Sequence, residues 1–311
     1  MHIYRYCFKA FYRLGLYDQL NDEAFLRRAY LAHIGRRLNL KDPKTFNEKL
    51  QRLKLHDRRP EYVEMVDKYK VRDHIARTIG SEYLIPLLGV WDNFDDIDFT
   101  SLPQQFVLKT THDSGSVIVC KDKSKFDFNT ASRKLTRSLK RNFFFYGREW
   151  PYKNVKPRVI AEKDRVDESG ELRDYKLLCY NGVHRNTLTC TERFSGEGLK
   201  VTFFDKEWNV MPFERDYPRS LKPIPKPQRY NEMIRLAEIL SKGIPFLRVD
   251  FYEISGQIYF GELTFYPHCG FGPFQPEEWD HKLGEMIDLS MAKDVGIKMD
   301  KDGWTEKENY S

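Results

Sequence analysis

The chain has 311 residues, of which 41% are hydrophobic and 32% are charged, with a formal net charge of +6. This composition excludes a mainly disordered chain and is typical of one large domain or two closely joined lobes. No apolar run approaches the roughly 18 residues of a membrane-spanning helix, and we expect no secretory signal. The cysteines have no CxxC spacing, so we expect neither a zinc ribbon nor a disulfide scaffold, and a cytoplasmic protein.

The positive charge is concentrated at the N-terminus, where residues 1–60 contain 14 Lys and Arg against 6 Asp and Glu. A nucleic-acid-binding protein would carry its basic surface across the folded body, so we expect no nucleic-acid partner. Aromatic and basic residues at helical spacing over residues 3–40 predict two helices. These helices either pack on the main body or make a peripheral contact, through residues 1–40, with an anionic membrane at the inner face of the plasma membrane.

Further helices are predicted from capping signals and periodicity. Thr45 followed by Glu48 forms a capping box, which predicts a helix that begins there. Helical periodicity then extends over 61–79 and ends at Gly80, and later helices are predicted over 129–139 and 230–240.

Short apolar runs with period-two alternation predict strands that pair in a largely antiparallel sheet. The polar turn 110–115 and the turn Ser255-Gly256 each separate two such runs and predict hairpins. The predicted strands cover residues 83–88, 106–109, 116–120, 158–163, 173–180, 184–189, 201–205, 246–254 and 257–264.

Two acidic residues stand out on the second hairpin. Alternation on neighbouring antiparallel strands can aim Asp250 and Glu262 onto one face, where carboxylates repel unless a cation or proton lies between them. Mg²⁺ prefers oxygen ligands and commonly completes its shell with substrate phosphates, so it suits this pair better than zinc. The alternative interpretation is two solvated strand acids.

The first hairpin carries a second candidate site. Lys109 ends a predicted strand and is followed by the turn 112–116, in which glycine lets backbone amides approach a phosphate and serine hydroxyls add donors. Such a loop could close over a triphosphate while Lys109 acts as a point charge, although an ordinary hairpin tip has the same composition. Charged residues also lie within apolar strands, where they face either water or a cleft: Glu162, Lys163, Asp174 and Lys176.

Taken in chain order, these motifs resemble the TupA-like branch of the ATP-grasp superfamily, which is associated with bacterial surface-polysaccharide biosynthesis. The resemblance covers about residues 38–275. It rests on PKTFNEKL (43–50), DKYKVR (67–72), FVLK (106–109), HDSGS (112–116), DYK (174–176), RVD (248–250) and GELTF (261–265).

The resemblance implies an α+β fold in which two lobes with largely antiparallel sheets clasp a nucleotide, with ATP and Mg²⁺ as cofactors. It implies a basic helical N-terminal extension (1–60), a first lobe with the lid hairpin (61–160), a second lobe with the metal site (161–290) and a C-terminal tail (291–311).

The resemblance also implies roles for individual residues. Thr264 stands where the superfamily usually has an asparagine, and its hydroxyl is a weaker magnesium ligand. For nucleotide binding, the implied roles are phosphate contacts for Lys68 and Lys109, a flexible lid for Ser114, Gly115 and Ser116, an adenine hinge at Glu162 and Lys163, and ribose and phosphate contacts for Asp174 and Lys176. The implied metal ligands are Asp250, Glu262 and Thr264. Arg248 is implied to stabilise charge on the transferred phosphoryl group, and it would be catalytic together with Lys109.

The implied reaction is ATP-dependent activation of a carboxylate to an acyl phosphate, followed by attack of an amine to form an amide. The expected partners are a uronic-acid-containing sugar and an amino acid or small amine. One alternative is a glycosyltransferase that uses the acidic pair Asp96 and Asp98 as a DxD metal site, and another is a non-catalytic nucleotide-binding protein of a polysaccharide locus. His112 and His268 are further candidates, each either catalytic or a packing histidine.

Overall fold

The computed structural model describes residues 2–164, 174–192, 196, 198–293, 299–300 and 303–304. The first residue of the strand predicted over 173–180 lies outside the described residues, as does most of the predicted C-terminal tail. The α-helices are α1 (His2–Arg13), α2 (Asp22–Ile34), α3 (Phe46–His56), α4 (Glu61–Val66), α5 (Val71–Thr78), α6 (Phe128–Leu139), α7 (Phe144–Gly147), α8 (Tyr230–Leu240) and α9 (Glu278–Glu285).

Local sequence explains where these helices begin. The side chain of Asn21 caps α2 by accepting a hydrogen bond from the backbone nitrogen of Ala24 at 2.8 Å. At the start of α3, Thr45 and Glu48 form the predicted capping box. The two predicted N-terminal helices and the helix predicted from Thr45 are therefore confirmed.

The single helix predicted over 61–79 is wrong, because the chain turns between α4 and α5. The carboxylate of Asp67 accepts hydrogen bonds from the backbone nitrogens of Tyr69 at 2.8 Å and Lys70 at 3.3 Å. A buried acid that binds nearby backbone donors competes with the helix for them. The turn lets the backbone nitrogen of Lys68 donate to the carbonyl of Thr111 at 3.0 Å, which brings Lys68 beside the first hairpin.

The strands form the antiparallel sheets that the alternation predicted, and the α+β class is confirmed. The predicted strand over 83–88 lies further along the chain, because Ser81–Tyr83 forms a 3₁₀ turn before it. The strands are β1 (Leu87–Trp91), β2 (Phe106–Thr110), β3 (Val117–Cys120), β4 (Val159–Lys163), β5 (Asp174–Tyr180), β6 (Val183–Thr191), β7 (Lys200–Asp205), β8 (Glu214–Arg215), β9 (Phe246–Ile254), β10 (Gln257–Thr264), β11 (Phe274–Gln275), β12 (Met299–Asp300) and β13 (Gly303–Trp304).

Two sheets dominate the described part of the chain. The first has the order β1-β4-β2-β3, and α6 packs on β2. The second has the order β10-β9-β5-β6-β7, and α8 packs on β5, β6 and β9. The largest hydrophobic core includes Phe46, Tyr230 and Phe246, all at most 1% exposed, so it joins α3 and α8 to the second sheet.

The N-terminal helices form a separate small core. Phe8 on α1 and Phe25 on α2 are buried there together with Phe271 from the loop after β10. The outer side of α1 is different, because Tyr6 is 76% exposed and Leu14, just beyond the helix, is 71% exposed. Within the described residues, no helix combines the length and apolarity needed to cross a bilayer.

Candidate functional site

The floor of the candidate site is formed by β9 and β10. The turn at Ser255 and Gly256, whose φ angles are 50° and 74°, joins the two strands as predicted. The pairing places Glu262 directly opposite Asp250, after a register shift between Phe260 and Glu262. The prediction that the two acids share one face is therefore confirmed.

One guanidinium joins the two carboxylates. Arg248 donates from Nε to Oδ1 of Asp250 at 2.7 Å and from Nη2 to Oδ2 at 2.8 Å, while Nη2 also lies 2.7 Å from Oε1 of Glu262. Bidentate arginine–carboxylate pairs are among the strongest and most directional hydrogen bonds in proteins. The carboxylate repulsion anticipated from the sequence is thus relieved by a side chain of the same strand.

A lysine on the neighbouring strand completes the cluster. Lys176 on β5 lies opposite Asp250 in the sheet and donates to its carboxylate, and its Nζ lies 2.5 Å from Oδ2 of Asp174. The five side chains, Asp174, Lys176, Arg248, Asp250 and Glu262, carry three negative and two positive formal charges. The floor therefore keeps one negative charge beyond what its own cations balance.

The two central acids, Asp250 and Glu262, differ in burial and in pKa. Asp250 is 1% exposed, and burial raises its pKa to about 6 against the lowering effect of Arg248 and Lys176. The side chain of Glu262 is 40% exposed in the cleft. Desolvation tends to raise the pKa of Glu262, but Arg248, Lys176 and Lys68 outweigh it and lower the pKa to about 2. Both carboxylates are therefore mainly ionised at neutral pH.

The first sheet carries a second ion-pair group. Nζ of Lys109 on β2 lies 2.6 Å from Oε2 of Glu162 on the adjacent β4, and Nη1 of Arg72 lies 3.4 Å from Oε1 of the same carboxylate. Glu162 is 8% exposed, so it lies within the molecule between two cations. Lys163 is exposed, and strand alternation places it on the other face of the sheet.

The hairpin between β2 and β3 has a fixed base and an open tip. At the base, Asp113 accepts hydrogen bonds from the hydroxyls of Thr110 and Ser116, and from Ser138 on α6 at 2.6 Å. At the tip, Ser114 and Gly115 are exposed, and Gly115 has a φ of 90° that favours glycine.

His112 also belongs to the base of this hairpin. Its Nε2 lies 3.1 Å from the carbonyl oxygens of both Ser138 and Arg141, at the end of α6, and the side chain is buried. These contacts are those of the packing histidine that the sequence left as one alternative.

Lys68 connects the hairpin to the floor. Its Nζ donates to the carbonyl of Asp113, and its positive charge contributes to lowering the pKa of Glu262. Burial in turn lowers the pKa of Lys68, while Glu262 and Asp113 oppose this effect. Lys68 therefore links the hairpin base, through a hydrogen bond, to the floor acids, through its charge, and the region that these residues share is the cleft.

The acidic pair of the glycosyltransferase alternative has a local role. Oδ2 of Asp96 accepts hydrogen bonds from the backbone and side-chain nitrogens of Asn93 at 3.1 and 3.0 Å. Oδ1 of Asp98 accepts from the backbone nitrogen of Thr100 at 2.9 Å and from its hydroxyl at 2.5 Å. Both carboxylates therefore cap turns, which is a local structural role and differs from the metal binding of a DxD motif.

The donor set on the floor suits Mg²⁺. Asp250 and Glu262 supply carboxylate oxygens, Thr264 has its hydroxyl 3.4 Å from Oε1 of Glu262, and the surplus negative charge favours a cation. In the described part of the chain, no group of three or more His, Cys, Asp or Glu is arranged to hold a metal. Mg²⁺ commonly takes one or two protein carboxylates and completes its shell with phosphate oxygens and water, and two neighbouring carboxylates are the donor set of such a site.

Several residues of this site were not assigned roles from the sequence. Arg72 and Asp113 lie inside the motifs that carried the resemblance, but nothing in their spacing showed what they bind. Glu149 is a buried acid whose pKa is raised by burial and lowered by Lys54 and then by a hydrogen bond to Cys269. A charged residue between aromatic neighbours, as in the run FFFYGREWPY, is the signal that could have drawn attention to Glu149.

The fold and the cleft define an α+β protein with a charged site between two antiparallel sheets. A model of the family described as TupA-like ATPgrasp matches residues 48–288, more than three quarters of the chain. The chain belongs to the TupA-like ATP-grasp family. A search of curated protein sequences found no match.

Parts of this chain are also similar to several solved structures. The D-alanine–D-alanine ligase of Bacillus anthracis is 17% identical over 65% of this chain and 57% of that chain, with a TM-score of 0.37. A RimK domain ATP-grasp protein of Sphaerobacter thermophilus is 12% identical over 87% of this chain and 96% of that chain, with a TM-score of 0.41. This chain thus spans less than two thirds of the length of the Bacillus ligase.

Proposed function

We propose that the protein is an ATP-dependent carboxylate–amine ligase that forms an amide through an acyl-phosphate intermediate. The observation that carries the proposal is the charged floor, where one guanidinium joins Asp250 and Glu262 within electrostatic reach of Lys68. A nucleotide triphosphate needs cations for its oxygens and carboxylates for its divalent ion, and this cleft offers both. Membership of the TupA-like ATP-grasp family supports the same assignment.

In this proposal the cations of the cleft bind and orient the phosphates. Lys68 and Lys109 contact phosphate oxygens, Glu162 keeps the ammonium of Lys109 in place, and the backbone amides of Ser114–Ser116 close over the nucleotide. Arg248 stabilises negative charge on the transferred phosphoryl group.

The remaining predicted residues complete this nucleotide site. The backbone beside Glu162 and Lys163 receives the adenine, while Asp174 and Lys176 border the ribose and phosphates. Asp250, Glu262 and the hydroxyl of Thr264 would hold Mg²⁺, which when bound neutralises phosphate charge.

The proposed carboxylate belongs to a uronic acid of a bacterial capsular or other surface polysaccharide, or of its precursor. The proposed amine belongs to an amino acid or another small amine. The basis for the sugar is the resemblance to a branch associated with surface-polysaccharide biosynthesis.

The test is a screen of ADP release with ATP and Mg²⁺ against pairs of uronic acids and amines. We expect release that needs both partners, and we expect Glu262→Gln to reduce it by about 100-fold because a carboxylate at the phosphates is lost. Glu278→Gln, which changes an exposed acid on α9, is the matched control and should leave turnover unchanged. Near-normal turnover of Glu262→Gln would contradict the assignment of the floor.

We further propose that α1 contacts an anionic lipid surface. Arg5 and Lys9 are exposed on this helix beside apolar side chains that the small core does not cover, which gives the helix both an apolar and a positively charged contact surface. The apolar side chains, with their exposed fractions, are Tyr4 (38%), Tyr6 (76%), Phe11 (45%), Leu14 (71%) and Leu16 (58%).

Vesicle sedimentation tests this contact with the full chain. The double variant Tyr6→Ser, Leu14→Ser should bind phosphatidylglycerol vesicles about tenfold more weakly, because it removes apolar contact area at two of the most exposed side chains of this region. Leu221→Ser, at a side chain that is 94% exposed elsewhere, is the control. Binding by the wild type should weaken as salt increases, and equal binding by the double variant would contradict the proposal.

A further inference from the structure

The loop that follows β10, residues 266–272, has an unusual backbone. His268 and Cys269 are consecutive non-glycine residues with a φ of 53° each, in the left-handed region that favours glycine. Each such residue costs about 1–3 kcal/mol and persists only where its surroundings fix it, often at functional sites. The loop begins two residues after Thr264, so it borders the proposed metal ligands.

Three side chains from one helix hold this loop. On α3, Asn47 donates to the carbonyl of Gly272 at 2.9 Å, Gln51 to that of Gly270 at 2.7 Å and Lys54 to that of Cys269 at 2.7 Å. All three side chains are fully buried, and their spacing puts them on one helix face. These three side chains of α3, called the cradle below, therefore hold the loop by its carbonyl oxygens.

An arginine completes the cradle from the other side. Arg215 on β8 donates to the carbonyl of Pro267 at 3.2 Å and to Oδ1 of Asn47 at 3.1 Å. It is 3% exposed. The loop is thus held on both sides, and the side chain of His268 is the part that it presents outward.

His268 is paired with a carboxylate. Its Nδ1 lies 2.9 Å from Oδ2 of Asp216, and its side chain is 38% exposed. Because a carboxylate only accepts hydrogen bonds, Nδ1 carries the proton, and Nε2 of the neutral ring has a free lone pair. In the described residues, no second hydrogen bond to the imidazole ring of His268 is found, so Nε2 is available to a ligand.

The surroundings of the ring favour its neutral form. Burial lowers the pKa of His268, Asp216 raises it, and the positive charges of Arg215 and Arg248 lower it further. The loop that carries the ring continues directly from β10, the strand that carries Glu262 and ends at Thr264. The exposed ring of Tyr217 lies 6.4 Å from the ring of His268, on the solvent side.

We propose that His268, oriented by Asp216, is the catalytic base that accepts a proton from the attacking amine. This rests on the proposed ligase function. Nε2 of His268 takes one proton from the ammonium form of the substrate, and the resulting amine attacks the carbonyl carbon of the acyl phosphate. The new C–N bond forms as the C–O bond to phosphate breaks. The phosphate leaves with the electron pair and takes up the second proton, which the nitrogen loses as it becomes the amide.

The test compares ADP release over a range of pH for the wild type, His268→Gln, His268→Ala and Asp216→Asn, with the pairs that turn over in the screen. At neutral pH, His268→Gln should reduce kcat about 100-fold, with KM for ATP unchanged. The loss should shrink toward about pH 10, where an alkylamine loses its proton without help. Asp216→Asn should cost about tenfold, and added imidazole should restore activity to His268→Ala.

His281→Gln, at an exposed histidine on α9, is the matched control and should behave like the wild type. A loss in His268→Gln that is the same at every pH and is not rescued by imidazole would overturn the role of His268 and leave the ligase function standing. Turnover of His268→Gln within twofold of the wild type would overturn it as well. A wild type that turns over no pair would overturn the ligase function, and this role with it.

Discussion

The floor of the cleft and the hairpin above it use polar residues in different ways. On the floor, Asp250 is 1% exposed and is bound by cations from its own strand and from the adjacent β5. In the hairpin, Asp113 fixes only the base, and Ser114 and Gly115 at the tip are exposed. The charges proposed to bind phosphate and metal are therefore held in place by ion pairs, whereas the tip proposed to cover the nucleotide is exposed to solvent.

The largest expected effect comes from breaking the floor. Asp250→Asn removes the shared partner of Arg248 and Lys176, so two cations lose a carboxylate in a buried site. We expect a loss of about 3 kcal/mol in the free energy of unfolding and of at least about 100-fold in ADP release. Urea unfolding and steady-state kinetics measure the two effects.

Asp95→Asn, at an exposed acid in the turn before β2, is the control for that substitution and should change neither quantity. If Asp250→Asn unfolded like the wild type, the floor would not be the rigid element that this comparison requires.

The second expected effect is on the pH dependence of unfolding, and it arises in the sheet that contains the floor but away from the proposed chemistry. His184 on β6 is 1% exposed, and burial lowers its pKa to about 4. Since its unfolded pKa is higher, about 6.5, the unfolded state binds the proton first as pH falls, so stability present above about pH 6.5 is lost down to about pH 4. This loss amounts to about 3 kcal/mol.

His184→Gln should flatten this part of the stability curve, because glutamine does not titrate. The measurement is urea unfolding of both proteins at neutral pH and at about pH 4.5, with the difference between them isolating this one group. An identical acid loss in the two proteins would contradict the assignment.

The smallest expected effect compares the two hairpin turns directly. Gly115 and Gly256 have positive φ angles of 90° and 74°, and a Cβ at either would meet no atom within 4 Å. Alanine at either position should therefore cost only about 1 kcal/mol of backbone strain. Only Gly115→Ala should also raise KM for ATP, by about threefold, because only that turn is proposed to cover the nucleotide. Equal KM values in the two variants would remove the distinction between lid and floor.

Local sequence predicted the second hairpin well and the helical region over residues 61–79 poorly. The turn at Ser255 and Gly256 fixes the pairing of β9 with β10. Strict alternation from that turn would place Glu262 opposite Val249, so the register shift between Phe260 and Glu262 is what brings Glu262 opposite Asp250. The break at Asp67 could not be predicted, because it depends on whether that acid binds backbone donors or faces water. A periodic pattern looks the same in both cases.

The sequence indicated several residues of the candidate site but not which side chains they contact. The sequence indicated Lys109 and Glu162 separately, and only the pairing of β2 with β4 shows that they form an ion pair. Arg248 was expected to act on phosphate, whereas its position between two carboxylates is a property of the folded sheet. Asp216 had no signal at all, because its contact with His268 joins segments that are distant in the chain.

The central claim is that the acids of the cleft floor take part in binding the magnesium complex of ATP. Titration calorimetry of the full chain with ATP, in the presence and absence of Mg²⁺, tests it most directly. If the floor acids take part, the heat should saturate at one nucleotide per chain, depend on Mg²⁺ and be strongly reduced in Glu262→Gln. Absence of heat with ATP and Mg²⁺, or the same binding by wild type and Glu262→Gln, would contradict it.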